Sequence, residues 1–310
     1  MALKLGTATP SKLYVGSTEV TKAYLGASEV YSSGPAIDPD AAAYITAVET
    51  ADGQALEAGV VTAINDFVVG CKADGIWTAI KASCILAGAR TLSGALVPLA
   101  GTAPTNFNFV AGDYNRKTGL VGDGVTKYLN TNRADDVDGQ NDKHFSVYVP
   151  NGINANKSML GGLATSPNRF TSLLGQSSEI NFAINAPGGV GVPPLNATGF
   201  MGASRSTSSD ISVSSNGVVG SYSQNSVPSS SLDIYVLARN LNGTANLFET
   251  NPLAFYSIGA ALDLALLDAR VSTLITALQF GINTGLAASD YDADTVAYVN
   301  RGYAAGGSLA

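Results

Sequence analysis

Residues 145–149 read FSVYV, and two later stretches follow the same pattern: residues 180–184 read INFAI and residues 232–238 read LDIYVLA. In each stretch, large apolar side chains recur at every second position. A period of two places these side chains on one face of an extended chain, which is typical of a strand with one buried face. The three stretches therefore predict β-strands in the second half of the sequence.

Turn signals separate these strands. Asp123-Gly124, Asn216-Gly217 and Asn242-Gly243 favour tight hairpin turns, because glycine and asparagine tolerate positive φ. Many short strands joined by turns rich in Gly, Asn and Ser indicate an antiparallel β-sandwich or jelly roll. We expect this sandwich to span residues 101–287.

Helical signals precede the sandwich. Asp38 is a good N-cap and Pro39 fits the first helical position, so a first helix is expected to begin there. Apolar residues at steps of three and four predict two further helices, from about Leu56 to Cys71 and from about Ile76 to Ala87. Together they predict a small helical module at residues 35–100.

A single late helix is predicted from about Ala260 to Leu278. One helix that follows an all-β body most simply covers the open end or the edge of the sandwich. Beyond it, residues 292–299 (DADTVAYV) match residues 38–45 (DPDAAAYI). Residues 288–310 are therefore expected to begin a second copy of the helical module.

The start of the chain contains a short repeat. Residues 12–20 (KLYVGSTEV) match residues 22–30 (KAYLGASEV), and each copy alternates apolar and polar residues around a glycine turn. A hairpin of this size is marginal alone and must pack against something else. We therefore predict that residues 1–34 are a β-repeat assembly segment. Its expected contact residues are Tyr14, Val15, Tyr24, Leu25, Val30 and Tyr31.

The composition excludes several classes of protein. Only 13% of the 310 residues are charged, against about 25% in typical domains, and the formal net charge is −7. Nucleic-acid binding needs basic patches, which an acidic chain with scattered Lys and Arg does not offer. The most apolar window, residues 84–99, is too short and too interrupted for a membrane span. No signal peptide is visible, so we expect synthesis in the cytoplasm without export.

Residues that carry chemistry in other proteins are few. His144 is the one histidine, and no catalytic triad or zinc motif surrounds it, so a structural or solvent-facing role is expected. Cys71 and Cys84 fit no disulfide framework and are expected to be buried free thiols in helices. Trp77 is expected to be a core or interface anchor. The glycine-rich residues 187–194 lack the lysine and following helix of a phosphate loop, which predicts a flexible loop.

Carboxylates cluster in one loop of the sandwich. Asp135, Asp136, Asp138 and Asp142 lie within the stretch NRADDVDGQNDKH. Hard oxygen ligands of this kind can hold calcium, although the spacing does not match the EF-hand pattern. A solvated acidic loop and a calcium site both remain open, and no other cofactor is expected.

The repeat at residues 12–31, KLYVGSTEVTKAYLGASEVY, resembles the N-terminal segments of many bacteriophage tail-fibre and other virion proteins. Residues 38–99, with GCKADGIW at 70–77, resemble a helical module of the same phage proteins. Residues 108–129 resemble the opening of a concanavalin-A/laminin-G-like sandwich, through DYNRKTGL and GDGVTKYL, and FYSIG at 255–259 is similar to its end. The resemblance implies a mainly β protein with some α: a concanavalin-A-like jelly roll, preceded by a β-repeat segment and a helical module.

Sandwiches of this family are often glycan-binding or purely structural, and the resemblance carries over no binding residues. It implies a non-enzymatic structural phage protein located in the virion, most simply a tail-fibre or tail-appendage component that contacts the host surface or its glycans. The alternatives are a capsid decoration or head-fibre protein and a tailspike-type glycan-processing enzyme. Expected partners are further copies of the chain, with a trimer favoured, and other virion proteins; neither nucleic acid nor membrane insertion is expected.

Overall fold

A computed structural model describes residues 13–20, 22–26, 28–32, 37–215 and 217–304. Contacts divide the chain into two compact units, Met1–Pro39 and Asp40–Ala310. The first unit contains two separate hairpins. Strand β1 (Tyr14–Val15) pairs with β2 (Thr18–Glu19), and β3 (Lys22–Leu25) pairs with β4 (Ser28–Ser32). The repeated strand–turn–strand pattern is thereby confirmed for the described part of this segment.

The helices of the second unit lie before, between and after its strands in the chain. They are α1 (Pro39–Asp52), α2 (Ala58–Ala73), α3 (Leu92–Ala95), α4 (Leu264–Thr284) and α5 (Ala293–Ala304). Local chemistry sets several of their ends. The Asp263 carboxylate accepts the backbone N–H groups of Ala265 and Leu266 at the start of α4. Gly285, with φ of 73°, ends α4 in the left-handed conformation that glycine adopts without strain.

The remaining strands form a sandwich. In chain order they are β5 (Ile80–Ile85), β6 (Thr105–Phe107), β7 (Tyr114–Asn115), β8 (Gly119–Val121), β9 (Tyr128–Ala134), β10 (Lys143–Val149), β11 (Ser158–Thr165), β12 (Asn168–Gln176), β13 (Glu179–Ala186), β14 (Val190–Val192), β15 (Gly199–Arg205), β16 (Asp210–Ser215), β17 (Val218–Ser223), β18 (Asp233–Val236), β19 (Arg239–Leu241), β20 (Thr244–Asn246), β21 (Pro252–Leu253) and β22 (Phe255–Gly259). Three predicted strands correspond to β10, β13 and β18.

Two large sheets build this sandwich. The six-stranded sheet has the order β17-β16-β15-β10-β22-β5. The nine-stranded sheet runs β14-β13-β12-β11-β18-β9-β6, with the β19–β20 hairpin attached at β11. A small third sheet has the order β21-β8-β7. All pairings are antiparallel except that of β11 with β19, so the predicted antiparallel sandwich is confirmed.

The core between the sheets follows from the alternation along the strands. Phe145, Val147 and Val149 of β10 face the nine-stranded sheet, where they join Leu173 and Phe182 in one buried cluster. The intervening side chains of β10 point to the opposite face. A period of two along each strand thus supplies one buried row to the sandwich interior.

A second apolar layer covers the outer face of the six-stranded sheet. Helices α2 and α4 pack together there, and Phe67 and Leu267 share a buried cluster with Phe200 and Phe255 of the sheet. The late helix therefore covers a sheet face, which corrects the expectation that it caps an end or an edge. Among the described residues α4 has the length and hydropathy of a membrane span, and its apolar stripe is the surface that contacts α2 and the sheet.

The third predicted helix, residues 76–87, is wrong. After a 3-10 turn at Trp77–Ala79, the chain enters strand β5, which pairs with β22 at the edge of the six-stranded sheet. Ala82 and Cys84 face the sandwich interior, while Ile80 and Ile85 face the helical layer. Because β5 is buried on both faces at all positions except Lys81, its sequence lacks the alternation of a half-buried strand and resembles a buried helix. The segment predicted as residues 35–100 thus contributes a strand to the sandwich.

Helix α5 lies where the repeated DADTVAYV sequence predicts a helix. The Asp292 carboxylate accepts the backbone N–H of Thr295, as an N-cap does, and Val296 and Val299 pack on Phe280 of α4. Tyr298 is exposed, whereas the matching Tyr44 of α1 is buried. The helix itself is confirmed, and its role as the start of a second module stays a prediction.

Candidate functional site

The outer face of the nine-stranded sheet carries a pocket. Leu174 of β12 and Asn181 of β13 are paired neighbours, one position away from the inward-facing pair Leu173 and Phe182. Because strand side chains alternate, Leu174 and Asn181 point away from the core. Their pocket has a volume of about 460 Å³. Its lining residues are Asn156, Phe170, Leu174, Gln176, Asn181, Gly189, Arg239 and Leu247.

Gly189 closes one side of this pocket against Asn181. A Cβ atom at residue 189 would lie 1.7 Å from the Asn181 Oδ1 atom, so only glycine allows the chain to approach this closely. The next residues form strand β14, which pairs with β13 at the sheet edge. The glycine-rich stretch at residues 187–194, predicted as a flexible loop, is therefore built around an edge strand. Its glycines provide backbone proximity that the sequence pattern alone does not reveal.

Arg239 supplies the positive charge of the pocket. It begins β19, in a hairpin whose turn at Asn242-Gly243 has φ values of 50° and 93°, as the sequence predicts. The Arg239 Nε–H donates to the Oδ1 atom of Asn246 at 3.1 Å. Burial lowers the pKa of the Arg239 guanidinium, which is nevertheless charged at neutral pH. The pocket therefore holds a half-buried cation that one side-chain contact orients.

Two residues of the pocket wall have left-handed backbone conformations. The φ angle is 58° at Asn156 and 51° at Leu247. Asparagine tolerates this region, but leucine rarely occupies it, and such residues occur often at ligand sites. The Leu247 carbonyl accepts the backbone N–H of Ser158 at 2.8 Å, which holds this conformation against β11.

An aromatic row lies on the same face of the nine-stranded sheet. The rings of Phe107 and Tyr128 are stacked, with centroids 4.3 Å apart and planes 5° apart. Tyr128 also contacts Tyr235 at 4.7 Å and Phe248 at 6.1 Å. Tyr235 lies between the inward-facing Ile234 and Val236 and so points outward, like Asn181. Burial raises the pKa of both Tyr128 and Tyr235, so both phenols are neutral at neutral pH.

His144 lies outside this pocket and is buried. Its Nδ1 atom is 2.6 Å from the Ala260 carbonyl oxygen, and its Nε2 atom is 2.9 Å from the Ser257 Oγ atom. Burial lowers its pKa to about 4. A neutral imidazole with a partner at each ring nitrogen, between the sheet and the helical layer, has a structural role. This is one of the two roles expected from the sequence.

The acidic loop does not assemble a ligand cluster. Asp135 forms an ion pair with Lys143, and Asp138 forms one with Arg133. The Asp142 carboxylate accepts the backbone N–H of Ala261 at 2.7 Å. Asp136 is exposed. Among the described residues no group of three or more His, Cys, Asp or Glu side chains is placed to hold a metal ion. Three of these four carboxylates are thus engaged by groups of the protein, and calcium binding by this loop stays a prediction.

Cys71 and Cys84 are free and buried, as expected, and burial raises the pKa of both thiols to about 12. Cys84 lies in strand β5, so the expectation that it lies in a helix is wrong. Trp77 is half-buried at the edge of a second cavity of about 500 Å³, beside α1. Its indole N–H donates to the Oδ2 atom of Asp40 at 3.0 Å, and the Lys72 ammonium lies 5.9 Å from the ring centroid. These contacts anchor the 3-10 turn to α1, which fits the expected anchoring role.

The six predicted assembly residues lie in the N-terminal hairpins. Val15, Tyr24 and Leu25 expose 73%, 57% and 68% of their surface. Tyr14 lies in β1, and Val30 and Tyr31 lie in β4; the side chains of these three are outside the described residues. The structure therefore places exposed apolar side chains at the three positions that it describes, and their role in assembly stays a prediction.

The pocket on the nine-stranded sheet is not evident from the sequence. Its lining residues come from β12, β13, β19 and the connecting loops, and their sequence positions extend from 156 to 247. Alternation showed that Asn181 and Tyr235 face away from the core, and this signal was available. The sequence did not show which strands are neighbours in the sheet, because strand order depends on long-range pairing.

Comparison with known proteins adds no family assignment. No family model matches the chain, and no curated protein matches it. Among solved structures, the binding domain of botulinum neurotoxin serotype D aligns with a TM-score of 0.41 and 9% identity, covering 63% of this chain and 51% of that chain. The CBM40 domain of the Ruminococcus gnavus IT-sialidase aligns with a TM-score of 0.35 and 11% identity, covering 44% of this chain and 85% of that chain.

The NanB sialidase from Streptococcus pneumoniae aligns with a TM-score of 0.35 and 14% identity over 44% of this chain. The aligned part spans only about a quarter of the sialidase, 24% of its length. These scores are too low to carry an argument about function. The antiparallel sandwich is instead established by the strand pairing described above.

Proposed function

We propose that this protein is a non-enzymatic, glycan-binding structural component of a bacteriophage virion, most simply of a tail fibre or tail appendage. The observation that carries the glycan part is the pocket on the outer face of the nine-stranded sheet. It combines three side-chain amides, one half-buried guanidinium and one phenyl ring within about 460 Å³. We infer that a saccharide of the host surface binds there.

The hydrogen-bonding groups of the pocket suit a sugar. Asn156, Gln176 and Asn181 each present a carbonyl acceptor and an NH₂ donor, so they match hydroxyl groups that both donate and accept hydrogen bonds. Phe170 offers a flat apolar surface for the C–H face of a sugar ring. Ligand pockets generally combine such an apolar surface with a few polar groups that fix orientation.

The aromatic row extends the same face beyond the pocket. Leu247 lines the pocket, and its neighbour Phe248 contacts Tyr128 in the row. Aromatic side chains with a solvent-exposed edge and an apolar face suit ligands that are partly polar. We infer that an oligosaccharide, with one unit in the pocket and others along the aromatic row, fits better than a single sugar.

The chemistry of the pocket favours binding over cleavage. Glycoside hydrolysis generally uses two carboxyl groups on either side of the scissile bond. The eight described lining residues include amides, one arginine and apolar groups, but no carboxylate, thiol or imidazole. A tailspike-type enzyme remains the alternative of a different class. Release of reducing sugar from host polysaccharide by the purified protein would establish it.

The virion part of the proposal rests on the N-terminal segment. Its sequence resembles phage virion proteins, and Val15, Tyr24 and Leu25 expose apolar surface in small hairpins. Exposed apolar surface of this kind marks contact sites. We propose that these hairpins join copies of the chain, most simply three, and connect them to other virion proteins. A capsid decoration or head-fibre protein is the alternative, and labelling of the protein on intact particles would distinguish tail from head.

A pair of adjacent glycines provides the test of the binding site. Gly189→Ala adds one methyl group that must displace the Asn181 amide, because the new Cβ would lie 1.7 Å from the Oδ1 atom. Gly188→Ala is the matched control, since nothing lies within 4 Å of its Cβ position. Neither glycine has a positive φ, so neither change strains the backbone.

Binding is measured by screening both variants and the wild type against host-surface polysaccharides, followed by calorimetric titration. Gly189→Ala should weaken binding roughly fivefold, because one hydrogen bond is worth about 1 kcal/mol. Gly188→Ala should bind like the wild type. Equal affinity of all three proteins for a bound glycan would place its site elsewhere, and no binding to any host polysaccharide would contradict the proposed function.

A further inference from the structure

A buried lysine links the two sheets of the sandwich. Lys143, Asp135 and Asn185 expose only 1%, 3% and 0% of their surface. The Lys143 ammonium lies 2.6 Å from the Asp135 Oδ1 atom and 3.3 Å from the Asn185 Oδ1 atom, and it also contacts the Asp135 carbonyl. Lysine is rarely buried this completely, and nothing in the proposed glycan site uses this group.

The three residues come from different parts of the sandwich. Lys143 starts β10 in the six-stranded sheet and points to the same side as Phe145, into the interior. Asn185 lies near the end of β13 in the nine-stranded sheet, and its φ of 45° breaks the alternation of that strand. Asp135 lies in the 3-10 turn Asp135–Val137 that follows β9. A bond between Lys143 and Asn185 would therefore cross the sandwich.

The Asn185 carboxamide is held as an electrophile. Its Oδ1 atom accepts hydrogen bonds from the Thr171 hydroxyl at 3.2 Å and from Lys143. Its Nδ2 atom donates to the Gln140 carbonyl at 2.8 Å, which fixes the plane of the amide. The Thr171 hydroxyl, which is not consumed when the lysine attacks, polarises the C=O bond and stabilises negative charge that develops on the oxygen.

Asp135 is placed to move protons. Its Oδ1 atom bonds the lysine, and its Oδ2 atom accepts the backbone N–H of Ser230 at 3.2 Å. A proton that crosses the 2.6 Å hydrogen bond converts the ion pair into an amine and a carboxylic acid. The amine is the nucleophile that amide chemistry needs.

We propose that Lys143 and Asn185 form an intramolecular isopeptide bond, with Asp135 as the catalytic acid and base. The lone pair of Nζ attacks the Asn185 Cγ atom, and the carbonyl oxygen takes the negative charge beside the Thr171 hydroxyl. Asp135 gives its proton to Nδ2 and takes one from the new C–N linkage. The carbonyl re-forms, the bond from Cγ to Nδ2 breaks, and ammonia leaves.

This step needs no reagent from outside the chain. An amine and a primary amide become a secondary amide and ammonia, without any oxidant, cofactor or water. Burial of all three groups excludes the water that would compete with the amine. The reaction occurs once in each chain, and the geometry that folding creates accelerates it.

Intact-mass spectrometry of the denatured full-length protein tests the proposal. The wild-type protein should be lighter than its sequence by one ammonia, and a proteolytic digest should contain one branched peptide that joins Lys143 to Asn185. Asp135→Asn should have the full mass while it retains the circular dichroism of the folded sandwich. Lys81→Arg, which changes an exposed lysine of β5, should retain the deficit.

The digest is essential because succinimide formation at Asn-Gly steps also releases ammonia. A deficit that maps to one of the three Asn-Gly steps (Asn151-Gly152, Asn216-Gly217 or Asn242-Gly243), or separate linear peptides for Lys143 and Asn185, would overturn the proposal. The wild-type measurement does not depend on any variant folding. Because its readout is mass and not glycan affinity, it is independent of the proposed function.

Discussion

Replacement of His144 by glutamine should change how the stability of the protein depends on pH. His144 is the single histidine of the sequence, so its titration can be assigned without other imidazoles. It is buried between the Ala260 carbonyl and the Ser257 hydroxyl, and burial lowers its pKa to about 4. Glutamine has a similar length and can hydrogen-bond, but it does not titrate.

The magnitude follows from linkage between protonation and folding. An unfolded histidine has a pKa of about 6.5, so above that pH both states are neutral and His144 contributes no pH dependence. As the pH falls from 6.5 towards 4, the unfolded chain binds a proton that the folded protein excludes. Stability is therefore lost over this window. The loss should be about 2 kcal/mol at pH 5 and approach roughly 3 kcal/mol below pH 4.

The assay is urea unfolding of wild type and His144→Gln at pH 7.5 and at pH 5, with proteins that carry no histidine tag. The wild type should lose about 2 kcal/mol more than the variant between these pH values. Asp66, whose pKa burial raises, is present in both proteins and cancels in the difference. The same loss in both proteins would refute the argument, because it would mean that His144 takes up its proton in the folded state as readily as in the unfolded chain.

Three further changes have clear expected results in thermal or urea unfolding or in cross-linking. Gly119→Ala should lower the free energy of unfolding by roughly 3 kcal/mol or more, since φ is 97° and the new Cβ would lie 1.9 Å from a backbone oxygen. Gly243→Ala, which has a similar φ of 93° but open space around its Cβ position, should lower it by about 1 kcal/mol. Leu267→Ala, in the buried face of α4, should cost roughly 3–5 kcal/mol, against less than about 0.5 kcal/mol for the exposed Leu266→Ala. Deletion of residues 1–34 should leave the sandwich folded but abolish cross-linked oligomers and virion incorporation; unfolding of the sandwich would contradict the assigned role.

Local signals in the sequence were sufficient for most strands and helices. The alternation in FSVYV identified β10 because its two faces meet different layers, with Phe145 in the sandwich interior and Ser146 under the helices. Asp38-Pro39 located the start of α1 because capping chemistry depends on adjacent residues alone. These features require no knowledge of the rest of the fold.

The failures share a long-range cause. Residues 80–85 became a strand because β22 provides an edge for pairing and because apolar layers lie on both sides. No local pattern distinguishes that strand from a buried helix. The pocket on the nine-stranded sheet was missed for the same reason: Asn181 and Arg239 meet only after β13, β12, β11 and β19 take their places in one sheet.

The two outer faces of the sandwich differ in what covers them, and we infer from this difference which face binds a ligand. On the six-stranded sheet, helices α2 and α4 cover the outer face and bury polar groups such as Ser146 and Ser257 beneath them. On the nine-stranded sheet, the outer face instead presents amides, a guanidinium and the aromatic row around Tyr128. Half-buried aromatic and charged groups beside a pocket contribute less to stability than a covered core would. We therefore infer that binding, rather than stability, explains the residues of this face, and that the helical layer and the Lys143 network provide the rigidity that such a binding face requires.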